Sequence, residues 1–384
     1  MKIGIDCRLW DETGVGRYIR NLVYNLQKID KKNDYVLFAL SKDYDQFKIQ
    51  NSKFKIVRAD IKWHTLEEQL KLPQILNNES LDLMHFTYFS VPLFYNRPFV
   101  VTIHDLIINH FPTGLASTLP SPIYNLKLLG YKFVIAQAAK KAKKIITVSN
   151  STKEEIVDHL GVDSDKVIVT YEGVDSTIRN SKFPTTLSLR GAGKTQNYFL
   201  YVGNVYPHKN MERLLEAFNI LISQYPNISL VCVGKEDYFY KRLKRKVEEM
   251  KLSDKVFFLQ NISDEELSGL YQNTLALVLP SLMEGFGLTA LEAMANKCLV
   301  LAADIPALKE ICGDAAIYFD TYSIGDMKKR MEEMLNDSNH LTENIEKGLE
   351  RIKLFSWQKM AKETLRIYES SSSASRRCPE GCSE

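Results

Sequence analysis

Short apolar runs alternate with helix-periodic stretches along this chain, and a polar segment near the middle interrupts the alternation once. In the first half the runs are KIGID, YVLFAL, KFKIVRA, LDLMHF, RPFVVTIHD, KKIITVS and KVIVTYEG. In the second half they are YFLYVG, ISLVCVGK, VFFLQ, LALVLPS, CLVLAAD and AAIYFD. Several are apolar at nearly every position, so neither face is meant for water. Such strands belong to a mostly parallel sheet covered on both sides. The stretches between read as helices. Gly14–Ile29 places Val15, Ile19, Leu22, Val23 and Leu26 on one face. Further helices are expected at 66–76, 123–142, 211–224, 238–250, 264–272, 288–295, 324–335, 341–355 and 357–368. Another opens at Ser151, with Glu154 completing a capping box.

The chain has 384 residues, beyond the size at which one core stops growing. The expected class is therefore α/β with two doubly wound, Rossmann-like domains. Residues 1–175 form the first and residues 176–197 the linker. Residues 198–355 form the second, residues 356–370 a C-terminal helix able to pack back on the first, and 371–384 a disordered tail. Ligands of such sheets bind beyond the carboxyl ends of the strands, and the cleft between two such domains is the expected site.

A net charge of +3 is too small to call for a nucleic acid. No apolar run has the length of a membrane span. MKIGIDCRLW reads as a strand and not as a signal peptide, which points to the cytoplasm. Cys7, Cys232, Cys298 and Cys312 read as small core residues. Cys378 and Cys382 fall in the tail, with no histidine nearby to complete a zinc site.

Four segments carry residues suited to chemistry. SLMEGFGLTALEAMANKC follows a strand and sets Glu284 and Glu292 eight positions apart, with Gly285, Phe286 and Gly287 between them. The glycines allow close backbone approach. The amides of Gly287 and Leu288 at a helix start make an anion site. Glu292 can accept from a ribose diol, and Glu284 can bind sugar hydroxyls or face positive charge. An ordinary loop with surface glutamates fits the same spacing. In YVGNVYPHKNMERLL, Gly203 ends a strand, Asn210 can cap the next helix, and Glu212 lies in its first turn. Lys209 is a movable charge suited to a diphosphate, although a plain surface lysine fits too. In DETGVGRYIRNL, Gly14 and Gly16 permit a tight loop after the first strand. Ile19 replaces the last glycine of the dinucleotide fingerprint, which counts against a nicotinamide site. In VVTIHDL, His104 and Asp105 follow a strand directly, where a core histidine satisfied by a carbonyl is the alternative. GAGKT is no P-loop, since Ser188 stands where the first glycine belongs.

Together these segments resemble the GT4 family of retaining glycosyltransferases, with the GT-B fold of two Rossmann-like domains facing across a cleft. TGVGRYIRNL, VTIHDL, TVSNSTKEEI, YVGNVYPHKNMERLLEAF, EGFGLTALEAMA and VLAADIPALKEICGDAAIYFD carry the resemblance, which extends to about Tyr368. It implies that Glu284 sits against the donor sugar, Glu292 binds the donor ribose and Lys209 contacts the diphosphate. It gives Gly14 and Gly16 a place over the phosphates and His104 a place near the reacting carbon. Asn204, Gly285, Phe286, Gly287 and Leu288 complete the implied donor site. Asn204 and His208 stand where many members carry a second basic residue. Asn296 and Lys297 replace a common Cys-Gly pair, with Asn296 suited to the left-handed turn. Glu172 replaces a frequent asparagine.

The implied reaction moves a hexose, with retention, from a nucleotide diphosphate sugar to a glycan or lipid-linked acceptor. The bacterial mannosyltransferase members it resembles suggest mannose from GDP-mannose. No cofactor is expected and no metal, since lysine and amides supply positive charge. Lys127, Lys132, Lys140, Lys141, Lys143 and Lys144 accompany an apolar helix that can rest on anionic lipid at the inner membrane face, or simply be solvated. The alternatives are glucosyl-type transfer from a UDP- or ADP-sugar, a GT-B nucleotide-sugar-binding protein without turnover, and a nicotinamide enzyme.

Overall fold

The computed structural model describes residues 1–112, 120–174, 197–336 and 339–372. Residues 1–106, 120–172 and 357–372 form one compact unit, and residues 107–112, 173–174, 197–336 and 339–356 a second. GAGKT, Asp175, Cys378 and Cys382 lie outside the described residues.

The first unit contains strands β1 (Lys2–Asp6), β2 (Asp34–Ala39), β3 (Phe54–Arg58), β4 (Leu83–Phe86), β5 (Phe99–Ile103), β6 (Ile145–Thr147) and β7 (Val167–Val169). They form one sheet in the order β3-β2-β1-β4-β5-β6-β7, with every neighbouring pair parallel. The second unit contains β8 (Asn197–Val202), β9 (Ile228–Val233), β10 (Val256–Leu259), β11 (Ala276–Leu279), β12 (Val300–Ala303) and β13 (Ile317–Phe319). Their order is β10-β9-β8-β11-β12-β13, again parallel throughout. Each of the thirteen described strands coincides with one of the apolar runs. β4, β5, β9, β11 and β12 are buried at every position, as unbroken apolar runs require.

The helices of the first unit are α1 (Gly14–Ile29), α2 (Leu66–Asn77), α4 (Ser121–Lys141), α5 (Asn150–Leu160) and, at the far end of the chain, α13 (Trp357–Ser371). Those of the second are α3 (Ile107–His110), α6 (Met211–Gln224), α7 (Tyr238–Glu249), α8 (Asp264–Asn273), α9 (Leu288–Ala295), α10 (Pro306–Cys312), α11 (Ile324–Asn336) and α12 (Asn339–Arg351). α1 buries Tyr18, Ile19, Leu22, Val23 and Leu26 and packs against α13. Cys7, Cys232, Cys298 and Cys312 are buried free thiols, as the sequence indicates.

Three local expectations need correction. The cap of α5 is Ser149, whose hydroxyl accepts from the Thr152 amide at 3.0 Å, not Ser151 with Glu154. At the end of α9 the left-handed residue is Lys297 (φ 60°), while Asn296 has φ −96°. The Cys298 amide bonds to the Ala293 carbonyl and the Lys297 amide to that of Met294, which is the paired arrangement of a Schellman motif with Lys297 outside the helix. Asn296 is held in the helix by other work, because its Oδ1 accepts from Ser268 Oγ at 2.6 Å. α10 is an unexpected helix. Pro306 at its first turn is the signal that marks it.

Candidate functional site

In the second unit the strand order reverses between β8 and β11, and the loops that leave these strands carry the predicted donor-site residues. β8 runs out through Gly203 and Asn204 into a 3-10 turn, Pro207–Lys209. β11 runs out through Pro280 and Ser281 to Glu284 and the start of α9. The Leu282 amide donates to the His208 carbonyl at 2.7 Å, which ties the two loops together. Across this tie the Lys209 ammonium donates to Glu284 Oε1 at 2.7 Å, and Ser281 Oγ donates to the same oxygen at 2.6 Å. Both charged side chains are partly covered, with 16% and 13% of their surfaces exposed. Burial alone would push the Glu284 carboxyl up. The charge and hydrogen bond of Lys209, with the Ser281 bond, reverse this and hold it below the ordinary carboxylate range.

His208 is buried, and burial followed by the Lys209 charge lowers its pKa to about 4, with Glu284 opposing. The imidazole is therefore neutral near pH 7, and His208 adds no positive charge beside Lys209. Asn204 takes the other position where a second base was sought. Its Oδ1 is buried with no hydrogen-bond partner among the described residues.

α9 begins at Gly287, whose φ of 99° disfavours any side chain. A Cβ there would also lie 2.7 Å from Leu308 Cδ2. No side chain caps this helix start. The Phe286 ring is buried edge-on to Phe355 and so packs in the protein core. Glu292 is buried, and Tyr271 donates to its Oε2 at 3.1 Å.

Sequence reasoning missed Asn210 as an organiser. Asn210 occupies the N-cap position of α6 but makes no capping bond. Its amide instead donates to the carbonyls of Pro280 and Thr321 at 3.1 and 2.8 Å. It thereby fixes the turn bearing Lys209 to the ends of β11 and β13. The signal was the left-handed backbone that asparagine tolerates.

In the first unit His104 stands one residue past β5, nine-tenths buried. Its Nε2 lies 3.1 Å from the Thr87 carbonyl, and its Nδ1 lies 3.7 Å from Glu172 Oε1. The Tyr18 ring meets it edge-on at 4.9 Å. The carbonyl contact is the one a core histidine would have, but Glu172 gives the other nitrogen an acidic neighbour. Gly14 and Gly16 open the helix expected over Gly14–Ile29 and do not form the tight loop also expected of them. The loop is Cys7–Thr13, and both glycines lie in the first turn of α1. Gly16 is glycine because a Cβ would come within 2.5 Å of the Trp10 carbonyl, while Gly14 has open space around it. Two Asp-x-Asp spacings, Asp43–Asp45 and Asp163–Asp165, also belong to the first unit and not to the Lys209–Glu284 group.

Residues 13–177 match the family described as Glycosyltransferase Family 4, and residues 189–351 match Glycosyl transferases group 1. The O-antigen chain mannosyltransferase RfbU of Salmonella typhimurium is 30% identical over 256 residues, 67% of this chain and 65% of that protein. O-antigen chain mannosyltransferase B of Escherichia coli is 28% identical over 239 residues, 61% of this chain and 62% of its own. These alignments therefore span less than two thirds of either relative. Among solved structures, a sucrose-phosphate synthase from Thermosynechococcus elongatus superposes with a TM-score of 0.76 at 19% identity, covering 96% of this chain and 98% of that one. Anabaena HepE, crystallised with UDP and glucose, gives 0.75 at 16% identity, covering 96% and 100%. At such identities the likeness concerns the fold, which is GT-B. With two Rossmann-like units, the E-x7-E segment opposite a lysine turn and both family matches, the chain belongs to the GT4-type, group 1 glycosyltransferases.

Proposed function

We propose that the protein transfers a hexose from a nucleotide diphosphate sugar to a hydroxyl of a glycan or lipid-linked acceptor, with retention at the anomeric carbon. The Lys209–Glu284 ion pair beside the uncapped start of α9 carries this reading. In the structure the ammonium rests on Glu284. A diphosphate brings more charge than one carboxylate and draws Lys209 onto itself. Glu284 Oε1 is then released to accept from a sugar hydroxyl. As the anomeric C–O bond breaks, negative charge grows on the diphosphate, where Lys209 and the amides of Gly287 and Leu288 stabilise it more than in the ground state. The acceptor oxygen bonds to the anomeric carbon from the face the diphosphate leaves, and its proton passes to the departing phosphate oxygen. Lysine and amides suffice for this charge, so transfer proceeds without a metal. Glu292 reads the ribose after Tyr271 yields its place.

Mannose from GDP-mannose is the proposed donor, supported by the named activities of the mannosyltransferase relatives. A thermal-shift panel of GDP-, UDP- and ADP-sugars, followed by mass spectrometry of acceptor mixtures, tests it. GDP-mannose should raise the melting temperature most and yield hexosylated product. A larger response to a UDP- or ADP-sugar would replace the donor, and binding without product would leave a nucleotide-sugar-binding protein.

The enzyme works in the cytoplasm against the inner membrane face. Among the described residues no helix is long and apolar enough to cross a membrane. α4 instead exposes Ile123, Leu126, Leu129 and Phe133 at helical spacing, between 49% and 72% open. Lys127 and Lys132 flank this stripe, and the helix contains no acidic residue. An apolar strip bordered by lysines suits an anionic lipid surface. Co-sedimentation with phosphatidylglycerol vesicles should be strong at low salt and fade with added salt. No binding at low salt would dismiss the membrane contact.

A further inference from the structure

The first unit holds a second group of residues that the transfer chemistry does not use. Arg8 is 2% exposed and lies between two carboxylates. Its Nη2 donates to Asp6 Oδ2 and to Glu68 Oε1, each at 2.7 Å, and its Nε donates to Asp6 Oδ1 at 2.9 Å. The other oxygen of Glu68 accepts from Ser90 Oγ at 2.6 Å and from the His64 amide at 2.9 Å. Buried charge is expensive, and such a cluster holds together only because each atom is bonded. Here it clamps two loops. One carries His64, held at a φ of 60°, in the left-handed region that few residues other than glycine occupy. The other carries Tyr88, Phe89 and Ser90 just beyond β4. Strain held by a buried clamp suggests a function for what it presents.

What it presents is aromatic. The Tyr88 ring lies 6.4 Å from His104 and 5.9 Å from His64, and Phe89 lies beneath with Tyr131 edge-on to it at 4.9 Å. Phe89 is buried, whereas Tyr88 and Tyr131 are half-buried and His64 is exposed. The result is a strip of rings that starts at His104 and reaches solvent at His64. Ring faces offer apolar area, while imidazole nitrogens and phenol oxygens at their edges offer hydrogen bonds. A pyranose has the matching character, with a C–H face and a rim of hydroxyls. An alkyl chain would leave those polar edges unused.

We propose that Tyr88 and His64, flanked by Tyr131, stack a neutral hexopyranose of the acceptor beside His104. This rests on the transferase reading for its role in the reaction, though not for the binding itself. Saturation-transfer NMR with methyl α-D-mannopyranoside and methyl α-D-glucopyranoside tests the binding, using the full chain. Kinetics with GDP-mannose and the mannoside as acceptor test the role. The variants are Tyr88→Leu and His64→Asn, the latter because asparagine tolerates the left-handed backbone. Saturation transfer should fall in both, and the acceptor KM should rise roughly tenfold, the scale of one lost ring contact. GDP affinity and melting temperature should stay near wild type. The proposal is overturned if neither sugar receives saturation from the wild-type protein, or if both variants bind sugar as well as it does. Sugar binding lost in the variants without any transfer by the wild type would keep the subsite and defeat the transferase reading. Transfer with unaltered acceptor KM would do the reverse.

Discussion

Lys209 and Glu284 neutralise one another, and this makes their substitutions informative in different ways. On the proposed donor site, Lys209→Ala removes a charge-assisted contact to phosphate, worth about 1.5–3 kcal/mol. GDP affinity measured by calorimetry should therefore fall roughly ten- to a hundredfold. Glu284→Ala leaves the ammonium free for phosphate, so transfer should drop far more than GDP binding. The Glu284 carboxyl is held below its ordinary value of 4.5, so the stability it contributes is complete above that pH and is lost as pH falls through the lowered value. The stability gap between wild type and Lys209→Ala should accordingly narrow on acidification, as urea titrations at several pH values would register. His208 has the opposite chemistry and the same direction of loss. Its folded pKa of about 4 lies below the ordinary 6.5, so the unfolded chain takes the proton first and stability declines from about pH 6.5 downward. His208→Gln should flatten that decline in melting temperature. At this scale the sequence placed His104, Lys209 and Glu284 in the segments that follow strand ends, where the structure has them. It did not reveal that Lys209 and Glu284 bond to each other, because 75 residues separate them and only the strand order brings them together. The buried clamp at Arg8 was hidden for the same reason, its Glu68 partner being 60 residues away.

Among the elements, strands were the most legible, because a strand buried on both faces writes itself as an apolar run. Helix ends were less so, since a capping serine is decided by one hydroxyl and two serines stood two residues apart at Ser149 and Ser151. Gly14 and Gly16 suggested a tight loop, yet both lie in the first turn of α1, where only Gly16 serves close packing. α10 escaped because its seven residues are too short for a clear period. Two substitutions probe the element ends. Lys297 holds a left-handed backbone that costs a non-glycine residue about 1–2 kcal/mol. Lys297→Gly should recover about 1 kcal/mol of this and raise the denaturation midpoint of the second unit. Gly287→Ala should do the opposite, because φ is 99° and Leu308 blocks the added carbon. It should also weaken GDP binding by shifting the amides at the start of α9, which calorimetry of the same variant measures.

At the level of the whole molecule, the chain leaves the first unit, builds the second, and returns with α13 to complete the first. α13 covers α1, and Tyr368 from it lies 2.6 Å from His85 Nδ1 on β4. His85 in turn contacts Thr102, which meets Tyr18. Removing residues 357–384 should therefore unfold or loosen the first unit while sparing the second, seen as loss of one of two transitions in calorimetry. Equal effects on both transitions would contradict this. The sequence suggested such a return, but the polar network beneath it joins residues far apart in the chain and shows only in the fold. A consequence concerns synthesis. On the ribosome the second unit can finish folding as soon as Ser356 has emerged, while the first, although made earlier, waits for its last helix. Throughout that interval the part of α1 that α13 later covers stays open, so the earliest-made half of the molecule is the last to close.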